Sequence, residues 1–109
     1  MDIIEVERIQ SLSEKNPKFL ARIFTETEIS YCSKKKNKYQ HFAARFAAKE
    51  AFFKALGRPI RWTDIGLKNL PSGKPILDIL SDEKFPFQKT DVSISHIKDY
   101  AVATVILSS

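Results

Sequence analysis

Phe42 to Leu56, FAARFAAKEAFFKAL, is the stretch from which the fold can be read. Ala, Phe, Lys, Glu and Arg dominate it and neither Pro nor Gly interrupts, so it reads as one strong helix. Gly57 follows where a helix commonly needs a left-handed stop. Phe42, Phe46 and Phe53 recur at helical spacing and form the apolar stripe that docks on a core. Glu50 stands one turn ahead of Lys54, and both have Ala and Phe as neighbours. Such an i,i+4 pair ordinarily lies on a surface and contributes about 0.2–0.5 kcal/mol. Its apolar surroundings place this one at the edge of a pocket.

Working outward, the 109 residues suit one domain, spanning 1–109, with a single core. With 43% hydrophobic and 28% charged residues the chain has the composition of a soluble globular protein. Cys32 stands alone, which excludes an intrachain disulfide and leaves no cysteine cluster for zinc. Neither a signal peptide nor a span of ~20 apolar residues is recognisable, so the cytoplasm is the simplest address and no membrane role is expected. A net charge of +5 and a pI near 9.4 call for an anionic partner: nucleic acid, a phosphorylated cofactor or an acidic protein. The densest basic cluster, Lys34-Lys35-Lys36 with Lys38, lies between two helix signals and reads as a solvated loop.

Ile3 to Ile9 suggests a short strand running into a helix, and the spacing of Val6, Ile9 and Leu12 carries that helix to near Asn16-Pro17. Phe19 to Ile23 reads as another helical turn. Thr25 with Glu28 is a capping-box signature that starts a short helix. The long helix covers Tyr39 to Leu56. Beyond Gly57 the reading is of strands at Trp62–Leu67, Lys74–Leu80, Thr90–Ser95 and Tyr100–Leu107, with a turn at Pro71-Ser72-Gly73-Lys74. The last strand, apolar at nearly every position, should be covered on both faces or pack against another subunit. Helices followed by a small antiparallel sheet make an α+β fold.

Three places collect polar residues that folding alone does not require: Asp2 at a strand end, Glu50 with Lys54, and Ser93-Ile94-Ser95-His96 at a hairpin. Singly, each has an ordinary structural explanation. Together they suit phosphate chemistry. Two carboxylates from distant elements can hold a hard cation such as magnesium and leave room for phosphate oxygens and water. A lysine and a histidine can then meet the phosphates. The residues alone reach metal-assisted phosphoryl chemistry and stop there, since nucleases use similar parts.

The order of the motifs adds a resemblance. Asp2-Ile3-Ile4-Glu5-Val6-Glu7-Arg8-Ile9, then Arg45-Phe46-Ala47-Ala48-Lys49-Glu50-Ala51 with Lys54-Ala55-Leu56-Gly57, then Ser72-Gly73-Lys74-Pro75, then Val92-Ser93-Ile94-Ser95-His96 with Tyr100-Ala101 resembles holo-(acyl-carrier-protein) synthase. That family is the small, stand-alone type of 4′-phosphopantetheinyl transferase, and the likeness runs in order over nearly the whole chain. It implies transfer of 4′-phosphopantetheine from coenzyme A to a serine of apo acyl carrier protein, releasing adenosine 3′,5′-bisphosphate, for fatty acid biosynthesis. It further implies that Asp2 and Glu50 bind magnesium and that Lys54 contacts the phosphates. His96 would lie at the nucleotide end of coenzyme A, and Gly73-Lys74-Pro75 would form the turn that approaches it from a neighbouring subunit of a homotrimer. Glu50 or a metal-ordered water would take the serine proton. Arg8, Lys15, Lys18 and Arg22 would dock the acidic carrier, where rim charges mainly steer encounter.

Two departures from the family pattern set further expectations. Family members carry a short apolar, glycine-containing strand ahead of the Asp, whereas this sequence starts at Met1-Asp2, so the strand is expected to be shortened and Asp2 to lie on a frayed end. The short Arg58-Pro59-Ile60-Arg61 replaces a longer loop, which would alter contacts to adenine or phosphate. The competing readings are a basic nucleic-acid-binding module, suggested by the pI and the lysine cluster, and a metal-dependent nuclease. The first lacks the interleaved surface aromatics expected for base stacking. The second does not explain the order of the motifs.

Overall fold

A computed structural model describes all 109 residues. Four helices and five strands follow one another as β1 (Asp2–Glu5), α1 (Val6–Lys15), α2 (Phe19–Ile23), α3 (Glu26–Ser33), α4 (Lys38–Leu56), β2 (Ile65–Asn69), β3 (Pro75–Ile79), β4 (Lys89–His96) and β5 (Tyr100–Ser108). The strands form two antiparallel sheets, β1-β5-β4 and β2-β3. The fold is thus α+β as expected, but with a divided sheet into which the N-terminal strand is woven. No helix is long and apolar enough to cross a membrane.

Helix α4 is more central than an amphipathic stripe suggests, since every residue from Phe42 to Lys49 is buried. Its Ala43, Ala44, Ala47 and Ala48 share one core cluster with Ala101 and Ala103 of β5. Small side chains on both partners let helix and strand approach closely, which a one-face pattern of large residues cannot reveal. Phe42, Phe46 and Phe53 are all buried, and Trp62 stacks on Phe46 (4.9 Å) and meets Phe53 edge-on (4.8 Å). That aromatic docking alters the segment expected to be a strand from Trp62. Residues Trp62–Asp64 form a 3-10 turn, and the strand begins only at Ile65. The α4 stop is as read, with Gly57 at φ 91° and its N–H donating to the Phe53 carbonyl at 2.9 Å.

The Thr25 capping box is formed in both directions: Glu28 N–H donates to Thr25 Oγ1 and Thr25 N–H to Glu28 Oε1. Glu28 does more than cap. Its Oε2 accepts from Leu67 N–H and its Oε1 faces Lys49 Nζ at 2.7 Å, with both side chains fully buried. Lys49 also donates to the carbonyls of Ile23 and Trp62. One ion pair therefore joins α2, α3, α4, the Trp62 turn and β2 beneath the site.

Asp2 is not frayed. It pairs with Ala103 in β5 and is 7% exposed, because β1 is hydrogen-bonded along its length from Asp2 to Glu5. The final strand is covered on one face only. Ala101, Ala103 and Val105 point into the core, while Ile106 (59% exposed) and the neighbouring Ile3 (59%) face outward.

Candidate active site

Strand β1 and helix α4 bring the first constellation together. The Asp2 carboxylate is carried to α4 by the β1–β5 pairing, and Lys54, in the last turn of α4, donates to Asp2 Oδ1 at 2.7 Å. The expected Glu50–Lys54 pair is thereby replaced. A nearly buried carboxylate has lost its water and needs a counterion more than a half-buried one does. The hydrogen bond and charge of Asp2 raise the Lys54 pKa. Glu50 remains ionisable without a bonded partner. Burial, then the charge of Asp2, raise its pKa, while Lys54 and Arg8 pull it down. Arg8, placed in the carrier-docking set, thus also faces the acidic pair.

The other Asp2 oxygen, Oδ2, is buried and has no hydrogen-bond partner. Two carboxylates near enough to repel each other, one with an orphaned oxygen, are the donor set that a hard divalent cation satisfies. No cluster of three or more His, Cys, Asp or Glu side chains is present. The protein would therefore offer two carboxylates, which suits magnesium, an ion that keeps waters and takes phosphate oxygens as further ligands. An open cleft of about 330 Å³ lies beside Lys54, lined by Phe53, Gly57, Arg58 and Pro59. Arg58 in the short loop pairs with Glu83 and lies over the Phe85 ring.

The second constellation stands apart in a single chain. His96 hydrogen-bonds through Nδ1 to Gln40 Oε1 (2.9 Å) at the start of α4. Gln40 and Glu50 are ten positions apart, or roughly 15 Å along the axis. The Gly73-Lys74-Pro75 turn is held to α4 by a tether that sequence reading missed. Arg45, 2% exposed, donates from Nη2 to Asn69 Oδ1 (2.7 Å), and Asn69 Nδ2 donates to the Gly73 carbonyl (3.0 Å). Gly73 is required for its φ of 91°. Arg45 has no carboxylate partner, its Nε is buried and unbonded, and its guanidinium lies over Tyr31. Arg45 lies within the quoted motif, and only its burial without an acid marks it out. His41, also unmarked by sequence, has its ring 4.7 Å from that of His96.

Arg8, Lys15, Lys18 and Arg22 are all exposed on α1, the α1–α2 turn and α2. Lys34, Lys35 and Lys36 are exposed between α3 and α4, and Lys38 is exposed at the first position of α4. Cys32 is buried and its thiol is pushed up to about 11, so it stays protonated.

The histidine pair makes a stability prediction. Burial, then the charges of His96, Arg45 and Lys35, lower the His41 pKa to about 4. Between the ordinary histidine value of 6.5 and 4, the unfolded chain binds a proton that the native chain refuses. Stability should therefore fall as pH drops through that window. Chemical unfolding at stepped pH should show a smaller loss for His41→Phe than for the wild type; equal slopes would remove His41 as the cause.

With this geometry in place, comparison with known proteins gives the class. Residues 1–105 match the model of the 4′-phosphopantetheinyl transferase superfamily, and the chain belongs to it. It is 42% identical over 113 residues to the holo-[acyl-carrier-protein] synthase of Halalkalibacterium halodurans, covering 98% of this chain and 91% of that protein. Against the holo-[acyl-carrier-protein] synthase of Geotalea daltonii it is 44% identical over 117 residues, covering 98% and 94%. Among solved structures it resembles the holo-(acyl-carrier-protein) synthase of Bacillus anthracis in complex with CoA (3′,5′-ADP), with TM-score 0.83, 39% identity and coverage of 99% and 93%. The Helicobacter pylori holo-[acyl-carrier-protein] synthase in complex with coenzyme A matches with TM-score 0.86, 34% identity and coverage of 98% and 96%.

Proposed function

We propose that the protein is a holo-(acyl-carrier-protein) synthase, transferring 4′-phosphopantetheine from coenzyme A to a serine of apo acyl carrier protein. The observation that carries this is the buried Asp2 carboxylate, bonded to Lys54 and repelling Glu50, in a chain that matches the family over residues 1–105. The serine oxygen forms a bond to the β-phosphorus as the bridging P–O bond breaks. Adenosine 3′,5′-bisphosphate leaves, and the hydroxyl proton passes to Glu50 or to a water beside it. A carboxylate whose pKa is raised is the better acceptor. Lys54, held by Asp2, neutralises charge on the pyrophosphate. Asp2 and Glu50 would hold magnesium, which would neutralise the same oxygens. His96, with Gly73, Lys74 and Pro75, would take the nucleotide end.

The test is incubation with coenzyme A, magnesium and apo carrier, followed by the intact mass of the carrier. A phosphopantetheine increment is expected. Its absence with a family carrier as control would reject the reading. The alternatives, nucleic-acid binding or cleavage, are favoured by no contact in the site.

The carrier is acidic in this reading, and the exposed cations on α1 and α2 are its docking face. Reversing Arg8 and Arg22 to Glu should raise KM for the carrier, with the wild-type rate at low carrier falling as salt is added. A KM unmoved by charge reversal would place docking elsewhere. A homotrimer with sites between subunits is supported by two observations. The outward face of β1-β5-β4 carries exposed Ile3 and Ile106, and the Asp2 and His96 groups do not meet within one chain. Sedimentation equilibrium would test it, a monomer being the contrary result.

A further inference from the structure

The residues around His96 form a closed polar circuit to which the proposed reaction assigns no part. Asn37 Nδ2 donates to Gln40 Oε1 at 3.2 Å, and the same oxygen faces His96 Nδ1 at 2.9 Å. Asn37 Oδ1 in turn faces His41 Nε2 at 3.1 Å, and the His41 and His96 rings close the loop at 4.7 Å with planes inclined by 60°. An amide oxygen offers lone pairs only, so each ring nitrogen that faces one must carry the hydrogen. His96 is therefore the Nδ1–H tautomer and His41 the Nε2–H tautomer. Neither ring's second nitrogen is bonded, and neither is among the buried unpartnered atoms, so both are open to solvent. Asn37 and Gln40 also line an open cleft of about 420 Å³, in which the cations Lys36, Lys38 and Lys98 outnumber the carboxylates Glu7 and Asp99.

We infer that Asn37, Gln40 and His41 are positioning residues that hold His96 in one ring orientation and one tautomer, presenting Nε2 to the nucleotide portion of coenzyme A. The inference rests on the coenzyme A reading above. Its geometry follows the usual logic of an imidazole oriented through its second nitrogen, where the hydrogen bond at one ring atom decides what the other can do. Asn37 links the two histidines through one side chain, so turning either amide over disturbs both rings. The charged and titratable groups around the pair are Arg45 on α4, Tyr31 on α3, Lys35 just beyond the end of α3, and Lys98 with Asp99 in the turn after His96. Burial first, and then Arg45, joined at His41 by His96 and Lys35, disfavour imidazolium, which keeps the neutral tautomer, and hence its choice of nitrogen, the working form near neutrality.

Imidazole nitrogen NMR of the wild-type protein above neutral pH reads the tautomer without any ligand. His96 should show a protonated Nδ1 and a bare Nε2; the opposite pattern overturns the inference. Gln40→Leu should release the ring toward the Nε2–H form and raise KM for coenzyme A by about tenfold, with kcat nearly unchanged, as loss of one oriented binding contact does. Gln40→Glu retains the acceptor and should restore both the Nδ1–H signal and KM. It should also move His96 titration to higher pH, since a carboxylate favours imidazolium. A Gln40→Leu protein with unchanged tautomer and KM, or a Gln40→Glu protein no better than Gln40→Leu, overturns it equally. Thermal melts identify a variant that fails to fold, and the wild-type spectrum then decides alone. Phosphopantetheinylation by the wild type decides the coenzyme A reading separately from the ring spectrum.

Discussion

Glu50→Gln is expected to lower the rate of phosphopantetheine transfer by roughly 10²–10³ while leaving the fold intact, the scale of losing one charge-stabilising group in a preorganised site. Ionised Glu50 sits beside the buried Asp2 charge, and both burial and that charge raise its pKa. Making it neutral removes a repulsion, so the variant should melt no lower than the wild type. Asp2→Asn is expected to be as damaging to the rate, because it removes the negative charge that holds Lys54 as well as one of the two cation-binding carboxylates. Calorimetric titration with a divalent ion in the presence of coenzyme A should show the metal-dependent heat in the wild type and its loss in both variants. Near-normal turnover by Glu50→Gln would remove Glu50 from both proposed roles. Retained metal-dependent heat with lost turnover would keep the proton role and dismiss the metal one.

Lys49→Met is expected to cost about 3–5 kcal/mol of stability, since it strands the Glu28 charge in the interior. The corresponding fall in Tm is about 15 °C or more for a chain of this size. The loss should exceed that of any surface cation, because Lys49 also satisfies the carbonyls of Ile23 and Trp62. Combining Lys49→Met with Glu28→Gln returns the interior to neutrality and keeps an acceptor for the N–H groups of Thr25 or Leu67. The double variant should therefore be more stable than the sum of the single losses implies. Urea unfolding measures each of the four proteins. A Lys49→Met loss below about 1 kcal/mol would mean the site relaxes to admit water.

These two residues also mark where sequence reading ends. Lys49 and Glu50 are adjacent in the chain, and in sequence the second attracts attention because a lysine follows it at helical spacing. In the structure Lys54 has turned to Asp2, and the fully buried cation is Lys49, paired across 21 positions with a glutamate that sequence marks only as a cap. Arg45, Asn69 and Gln40 were equally silent. Each acts through a partner on another element, and no local pattern records which partner that is.

What the linear sequence settled by itself was local: the helix through Phe42–Leu56 with its Gly57 stop, the Thr25 cap, the Gly73 turn and the order of motifs that announced the family. These follow from backbone conformational preference and short-range hydrogen bonds, which neighbouring residues decide. Tertiary structure alone decided that the sheet is split, that β1 is pinned rather than loose, and that Asp2 captures Lys54. Those outcomes depend on which charges lose water and which remain hydrated, and solvation is set only when distant segments close over one another.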